Sequence, residues 1–236
     1  MSASPEQLLA LRYVADHLGS LRDEVVFLGG MVIGLLVTDS GAPSARSTND
    51  IDLIIEVAST AKYQTELRDR LIAVGFRESV DDDVVCRWRL GEFVVDIMPT
   101  TPNVLGFSNS WYPHAMATAK KMELPSKETG QLWIRVISAP AFLATKLAAW
   151  EGRGDNDLLH QDIEDIVTLV DGRRELIDEV ESDTQLLRIF LADSIEKLFA
   201  MGLEDALPGH LEGDVASQAR LPRVVAALRR LAQRPN

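Results

Sequence analysis

The apolar residues of this chain follow two different periods on either side of residue 138, and that change limits the fold more than any other feature. Before it, short runs at 25–28 and 51–57 are dense in Val, Ile and Leu and bounded by Gly, Ser, Thr and Pro, the pattern of buried strands. Beyond it, apolar residues recur at helical intervals almost to the end. Phe142, Leu143 and Leu147 begin the series, followed by Ile163, Ile166, Val167 and Val170, then Leu186, Leu187, Phe190 and Leu191, then Val224, Val225, Leu228 and Leu231. Ser138-Ala139-Pro140 supplies an N-cap and a first-turn proline for the first of these helices. The expectation is an α+β domain over residues 1–138 followed by a helical domain over 139–236.

Within the first part, the run at 25–28 reaches Gly29-Gly30, and residues 31–37 read as a short helix. Residues 38–49 are rich in Ser, Thr, Gly and Pro and read as a loop, expected to move and to close over a ligand. Residues 61–74 have helical spacing and end at Gly75, a C-cap. Residues 84–90, the pair Gly91-Glu92 and residues 93–98 predict a β-hairpin with a tight turn, and 132–137 a further strand.

Acidic residues stand inside this apolar pattern. Asp50-Ile51-Asp52 heads the most apolar strand, and alternate strand residues point to one face, so the two carboxylates project together about 6 to 7 Å apart. Asp96 interrupts Phe93-Val94-Val95 and Ile97-Met98. Burying an unpaired carboxylate costs several kcal/mol, and converging carboxylates repel one another. Divalent magnesium, which takes hard oxygen ligands and keeps waters for substrate phosphates, resolves both problems. Glycines that open a helix let backbone N–H groups approach phosphate. Each signal has a bland reading: a strand edge for the Asp pair, a turn for the glycines, a hydrogen-bonded strand end for Asp96. Their order along the chain makes them specific.

Taken in that order, Gly29-Gly30, Asp50-Ile51-Asp52 and Asp96 resemble the polymerase-β-like nucleotidyltransferase superfamily, and within it the AbiEii-type toxins of toxin–antitoxin pairs. Arg46-Ser47-Thr48-Asn49 is similar to that family's polar approach to the Asp strand, Pro140 to Leu147 to its lysine-bearing helix, and Asp162-Ile163-Glu164-Asp165-Ile166 to its late acidic motif. The likeness runs from about residue 25 to residue 171. The resemblance implies a nucleotidyltransferase domain with a mixed sheet, transferring NMP from an NTP to a hydroxyl with release of pyrophosphate. It implies that Asp50 and Asp52 bind two Mg2+ ions (Mn2+ as the alternative) and that Asp96 binds the catalytic ion and takes the acceptor's proton. Gly29, Gly30, Arg46 and Thr48 would meet the nucleotide, Lys146 the triphosphate, and Asp165, or Asp162, would fill the late acidic position. Two departures stand out. Nineteen residues, 31–49, separate the glycines from Asp50, a longer gap than the family's, and Gln161 stands where the family has a basic residue.

The net charge of −12 argues against a broad nucleic-acid surface, which needs clustered Lys and Arg, while leaving room for a triphosphate pocket. The expected partners are an NTP and an acceptor, either RNA, protein or a small molecule, with an antitoxin protein implied by the resemblance. An aminoglycoside-type small-molecule nucleotidyltransferase and a non-catalytic nucleotide-binding regulatory protein are the alternatives. No apolar stretch approaches the roughly 18 to 20 residues that cross a bilayer. The N-terminal residues lack the basic and apolar regions of a signal peptide, and Cys86 is alone, so a cytoplasmic protein without a disulfide is expected. Arg87 and Arg89 share one strand face, read as solvated, with phosphate or an acidic partner as the alternatives. Trp111-Tyr112 is read as core or hinge, with base stacking the lesser alternative. The arginines from 220 to 234 are read as a solvated helix face.

Overall fold

The computed structural model describes residues 3–42, 46, 48–79, 84–124 and 130–235. Its contacts divide them into two compact units, one drawn from Ala3–Val32 and Arg46–Ser138, the other from Ile33–Ala45 and Ala139–Asn236.

The first unit is built on a seven-stranded mixed sheet. Its strands are β1 (Val25–Leu28), β2 (Asp50–Ile55), β3 (Arg77–Glu78), β4 (Arg87–Leu90), β5 (Phe93–Pro99), β6 (Lys120–Leu124) and β7 (Leu132–Val136), in the order β3-β4-β5-β2-β1-β7-β6. β2 runs parallel to β5 and β1 to β7, and the remaining neighbours are antiparallel. The centre of the sheet is its driest part: Val26, Phe27, Ile51, Leu53, Ile54, Val95 and Ile97 are fully buried. Each such side chain contributes about 1.5 to 3 kcal/mol on leaving water, so the three central strands fix the register on which the acidic residues ride.

The hairpin forms as the sequence predicts, with Gly91 at φ +60 in its turn, although β4 begins at Arg87 rather than residue 84. The expected helix over 61–74 is a composite: Thr60–Lys62, a wide π turn over Tyr63–Leu67, then Arg68–Ala73, with Gly75 at φ +96 beyond it. At the start of the π turn, Tyr63 donates from its hydroxyl to the Ile97 carbonyl of β5. Strands β3 and β6 were not evident in the sequence, because β3 has two exposed residues and β6 opens on exposed Lys120 and Lys121.

The second unit is helical. Ala139–Arg153 packs on Gln161–Gly172 and on Gln185–Ala200, and Leu221–Leu231 closes against the latter two. The segment Ile33–Leu36 is one helical turn continuing the 3-10 turn Gly30–Val32 of the first unit, shorter than the helix expected over 31–37.

The start of the expected mobile loop is pinned rather than free. Thr38 and Asp39 both donate their N–H groups to the Gly172 carbonyl, at 2.9 and 2.8 Å. The buried Asp39 carboxylate takes Gly41 N–H and the guanidinium groups of Arg220, Arg174 and Arg223, which together hold its carboxyl well below the ordinary range. Pro43, Ser44, Ala45 and Ser47 of that loop lie outside the described residues. The C-terminal arginines correct a second expectation. Arg220 and Arg223 also clasp Asp171, Arg229 pairs with Glu204, Arg230 with Glu181 and Arg234 with Asp193, so this helix carries ion pairs and not a merely solvated face. No helix among the described residues is long and apolar enough to cross a membrane.

Candidate active site

Strand register assembles the acidic residues. Asp52 of β2 lies opposite Asp96 of β5, Asp96 lies opposite Arg87 of β4, and on the other side Asp52 lies opposite Leu28 of β1. Residues paired in register share a sheet face, so Arg87, Asp96 and Asp52 form one row across three strands. Asp50 is two residues before Asp52 and therefore on the same face, exposed at the strand's start and opposite Val94. Two carboxylates directly opposite each other repel, and the row carries its own remedy. Arg87 donates Nε to Asp96 Oδ1 and Nη2 to Asp96 Oδ2, both at 2.9 Å, a bidentate pair whose side chains are 24% and 14% exposed. Of the readings open for Arg87, the solvated face gives way to the acidic partner, which the same hairpin supplies. Arg89, two pairs along on the same face, donates Nε to Ser79 Oγ at 3.1 Å.

Gly29 makes room for Asp52. Its φ of +74 is the left-handed region that glycine enters without strain. A Cβ at this position would lie 1.9 Å from Asp52 Oδ2 and 2.7 Å from Asp52 Cγ, so any other residue would drive the carboxylate away. Arg46 and Thr48, on the approach to β2, are half-buried.

The three carboxylates offer hard oxygen donors of the kind a divalent cation takes, and Asp52 and Asp96 stand side by side for it. Their donor chemistry fits such an ion. Among the described residues, however, no three His, Cys, Asp or Glu side chains are gathered around one point for a metal, and both oxygens of Asp96 carry Arg87. In the turn just before β4, the buried Cys86 thiol has its pKa pushed up to about 11, first by burial and then by the charge of Asp96.

Lys146, Asp162 and Asp165 come together in the helical unit. The Lys146 ammonium lies 3.0 Å from Asp162 Oδ1 and 2.6 Å from Asp165 Oδ2, and both carboxylates are buried. Arg153 reaches Asp162 at 3.2 Å, and the Asp162 N–H donates to Nδ1 of the N-cap His160. Burial pulls the Lys146 pKa down, but Asp165 and Asp162 more than reverse it and leave it raised. Burial pushes Asp162 up, and Lys146 and Arg153 bring it below its ordinary value. The cluster is therefore charged on both sides and ties Ala139–Arg153 to Gln161–Gly172. A structural tie is the first role this geometry gives Lys146, whose ammonium is committed to two carboxylates.

Trp111 is buried with its ring edge-on to His114, and Tyr112 donates from Oη to Met98 Sδ at 3.1 Å, which makes the pair part of the sheet unit's packing. The residue that sequence reasoning undervalued is Arg87. Counting back from the Gly91-Glu92 turn pairs Leu90 with Phe93 and hence Arg87 with Asp96, so the signal was present.

No family model matches the chain, and no curated protein matches it. Among solved structures it is similar to an antigenic nucleotidyltransferase-like protein from Paracoccidioides brasiliensis, at 22% identity over 86% of this chain and 93% of that one, with a TM-score of 0.48. It is also similar to the antibiotic-resistance factor ANT(2'')-Ia, at 14% identity over 85% of this chain and 96% of that one, with a TM-score of 0.45.

Proposed function

We propose that this protein is a nucleotidyltransferase that moves a nucleoside monophosphate from an NTP to an acceptor hydroxyl, with Asp50, Asp52 and Asp96 as its carboxylate set. The observation that carries the reading is the register of Asp52 and Asp96 on adjacent parallel strands, with Asp50 on the same face two residues earlier. Such a face holds acidic oxygens on rigid central strands, where a shift of one residue would turn them into the core. Asp50, Asp52 and Asp96 are the residues that would hold divalent cations, Mg2+ or Mn2+. When bound, these ions supply charge neutralisation for the triphosphate and the departing pyrophosphate.

The chain's own residues do the rest. Gly29 keeps the Asp52 carboxylate against the backbone, and Asp96 accepts the proton of the acceptor hydroxyl. Arg46 and Thr48, on the approach to β2, meet the nucleotide phosphates, as do backbone N–H groups at Gly29-Gly30. Positioning and charge neutralisation supply most of the rate in transfers of this class. Net charge favours a small cationic acceptor, since −12 repels a polyanion such as RNA. An RNA acceptor and the toxin role that accompanies the AbiEii resemblance are the other arm of the acceptor test.

Thermal melts of wild type and the Asp50→Asn, Asp52→Asn and Asp96→Asn variants, with and without Mg2+ and NTP, test the site. Ligand binding to the folded state raises stability by mass action, so Tm should rise for the wild type and rise less for each variant. Equal rises in all four proteins overturn the assignment.

A further inference from the structure

We propose that Arg87 is the built-in counter-ion of the carboxylate face and competes with a divalent cation for Asp96. This inference rests on the nucleotidyltransferase reading and adds a residue that sets how readily its carboxylates take an ion. Three observations carry it. The guanidinium engages both oxygens of Asp96 at 2.9 Å, in the fork geometry that occupies a carboxylate most completely. The contact is held by backbone register at the base of a two-residue hairpin, so it does not depend on a wandering surface side chain. Asp96 has Arg87 on one side and Asp52 on the other, giving the row the charge order plus, minus, minus.

The consequence follows from electrostatics. Arg87 relieves the repulsion between Asp52 and Asp96, so these carboxylates need no metal to coexist. An incoming cation gains Asp96 only by breaking at least one charge-assisted hydrogen bond to Arg87, and it does so in the field of a nearby positive charge. Arg87 thus lowers the affinity for a free ion. An ion delivered with a triphosphate brings anionic oxygens that the displaced guanidinium can meet. The face thereby favours the metal–nucleotide complex over the metal alone. Arg87 is a positioning residue in this scheme, acting through Asp96.

The test is Mn2+ titration followed by electron paramagnetic resonance, on full-length wild type, Arg87→Gln, Arg87→Lys and Asp96→Asn, with melts in EDTA alongside. Losing a hydrogen bond to a charged group corresponds to roughly tenfold or more in an equilibrium constant. Arg87→Gln should therefore bind free Mn2+ about tenfold tighter than wild type, with Arg87→Lys in between, while Asp96→Asn binds more weakly than wild type. In EDTA, Arg87→Gln should melt lower than wild type because Asp52 and Asp96 are left facing each other. If Arg87→Gln does not fold, the Arg87→Lys affinity alone decides, since a lysine keeps the charge and loses the fork. Affinities for Mn2+ that are equal in wild type and the Arg87 variants, or weaker in the variants, overturn the competition and leave the nucleotidyltransferase reading standing. Mn2+ binding that is absent, or indifferent to Asp96→Asn, removes the carboxylate set as a cation site and takes both readings with it.

Discussion

The Asp52 carboxylate occupies the space that a Cβ on Gly29 would need, with Oδ2 1.9 Å from that point. Gly29→Ala should therefore cost more than about 1 kcal/mol, from the left-handed backbone alone, and should also displace Asp52. Asp52→Ala removes the atoms at 1.9 and 2.7 Å and leaves the Asp52 Cβ at 3.0 Å. In urea melts the double variant should be less destabilised than the two single costs added together. Strict additivity would place the clash elsewhere.

Lys146 should behave as a structural residue. Removing one member of a buried ion cluster typically costs about 3 to 5 kcal/mol, because the partners stay charged and unpaired. Lys146→Met leaves Asp162 and Asp165 in that condition. Chemical denaturation should show a loss of this size, and replacing Lys146, Asp162 and Asp165 together by Met and Leu should cost less than Lys146→Met alone. A stable Lys146→Met protein with weakened NTP binding would give the lysine back to the nucleotide.

The same cluster has a pH signature. Asp162 has a folded pKa below its ordinary 3.8, so its contribution is present above pH 3.8 and is lost as pH falls through the folded value. Lys146 is raised above 10.5, so its contribution is present below pH 10.5 and lost as pH climbs through the folded value. As pH falls below 3.8 and through the folded value, wild type should lose more stability than Asp162→Asn. Parallel stability curves for the two proteins would remove Asp162 from the acid transition.

Cys86 should be inert in the folded protein. It is buried, and its thiol is pushed up to about 11, so little thiolate forms at pH 8. A thiol-reactive chromogenic disulfide should label it in urea and at most slowly in buffer. Rapid labelling of the folded protein would mean that the turn leading into β4 opens readily.

The sheet's centre was legible because its residues satisfy only one arrangement. Ile51, Leu53, Val95 and Ile97 demand burial, the Gly91-Glu92 turn fixes the hairpin, and Asp50, Asp52 and Asp96 then fall on one face. The short edge elements were not, since Arg77–Glu78 and Lys120-Lys121 carry no apolar period to read. The ion-paired arginines escaped for a different reason. Arg220 and Asp39 are far apart in sequence, and their 3.0 Å contact exists only after the helices pack. Arg87 was the one partner that hairpin counting could have supplied, and the family resemblance drew attention to Lys146 instead.

The central claim is tested most directly by pyrophosphate release. Wild type and Asp96→Asn are incubated with each NTP and Mg2+, with total RNA in one arm and an aminoglycoside in the other. The account predicts that wild type releases pyrophosphate with at least one NTP in one arm, and that Asp96→Asn falls by roughly a hundredfold to a thousandfold, the scale at which a charge-stabilising catalytic group acts. Equal release by the two proteins, or none from wild type in any arm, would contradict it.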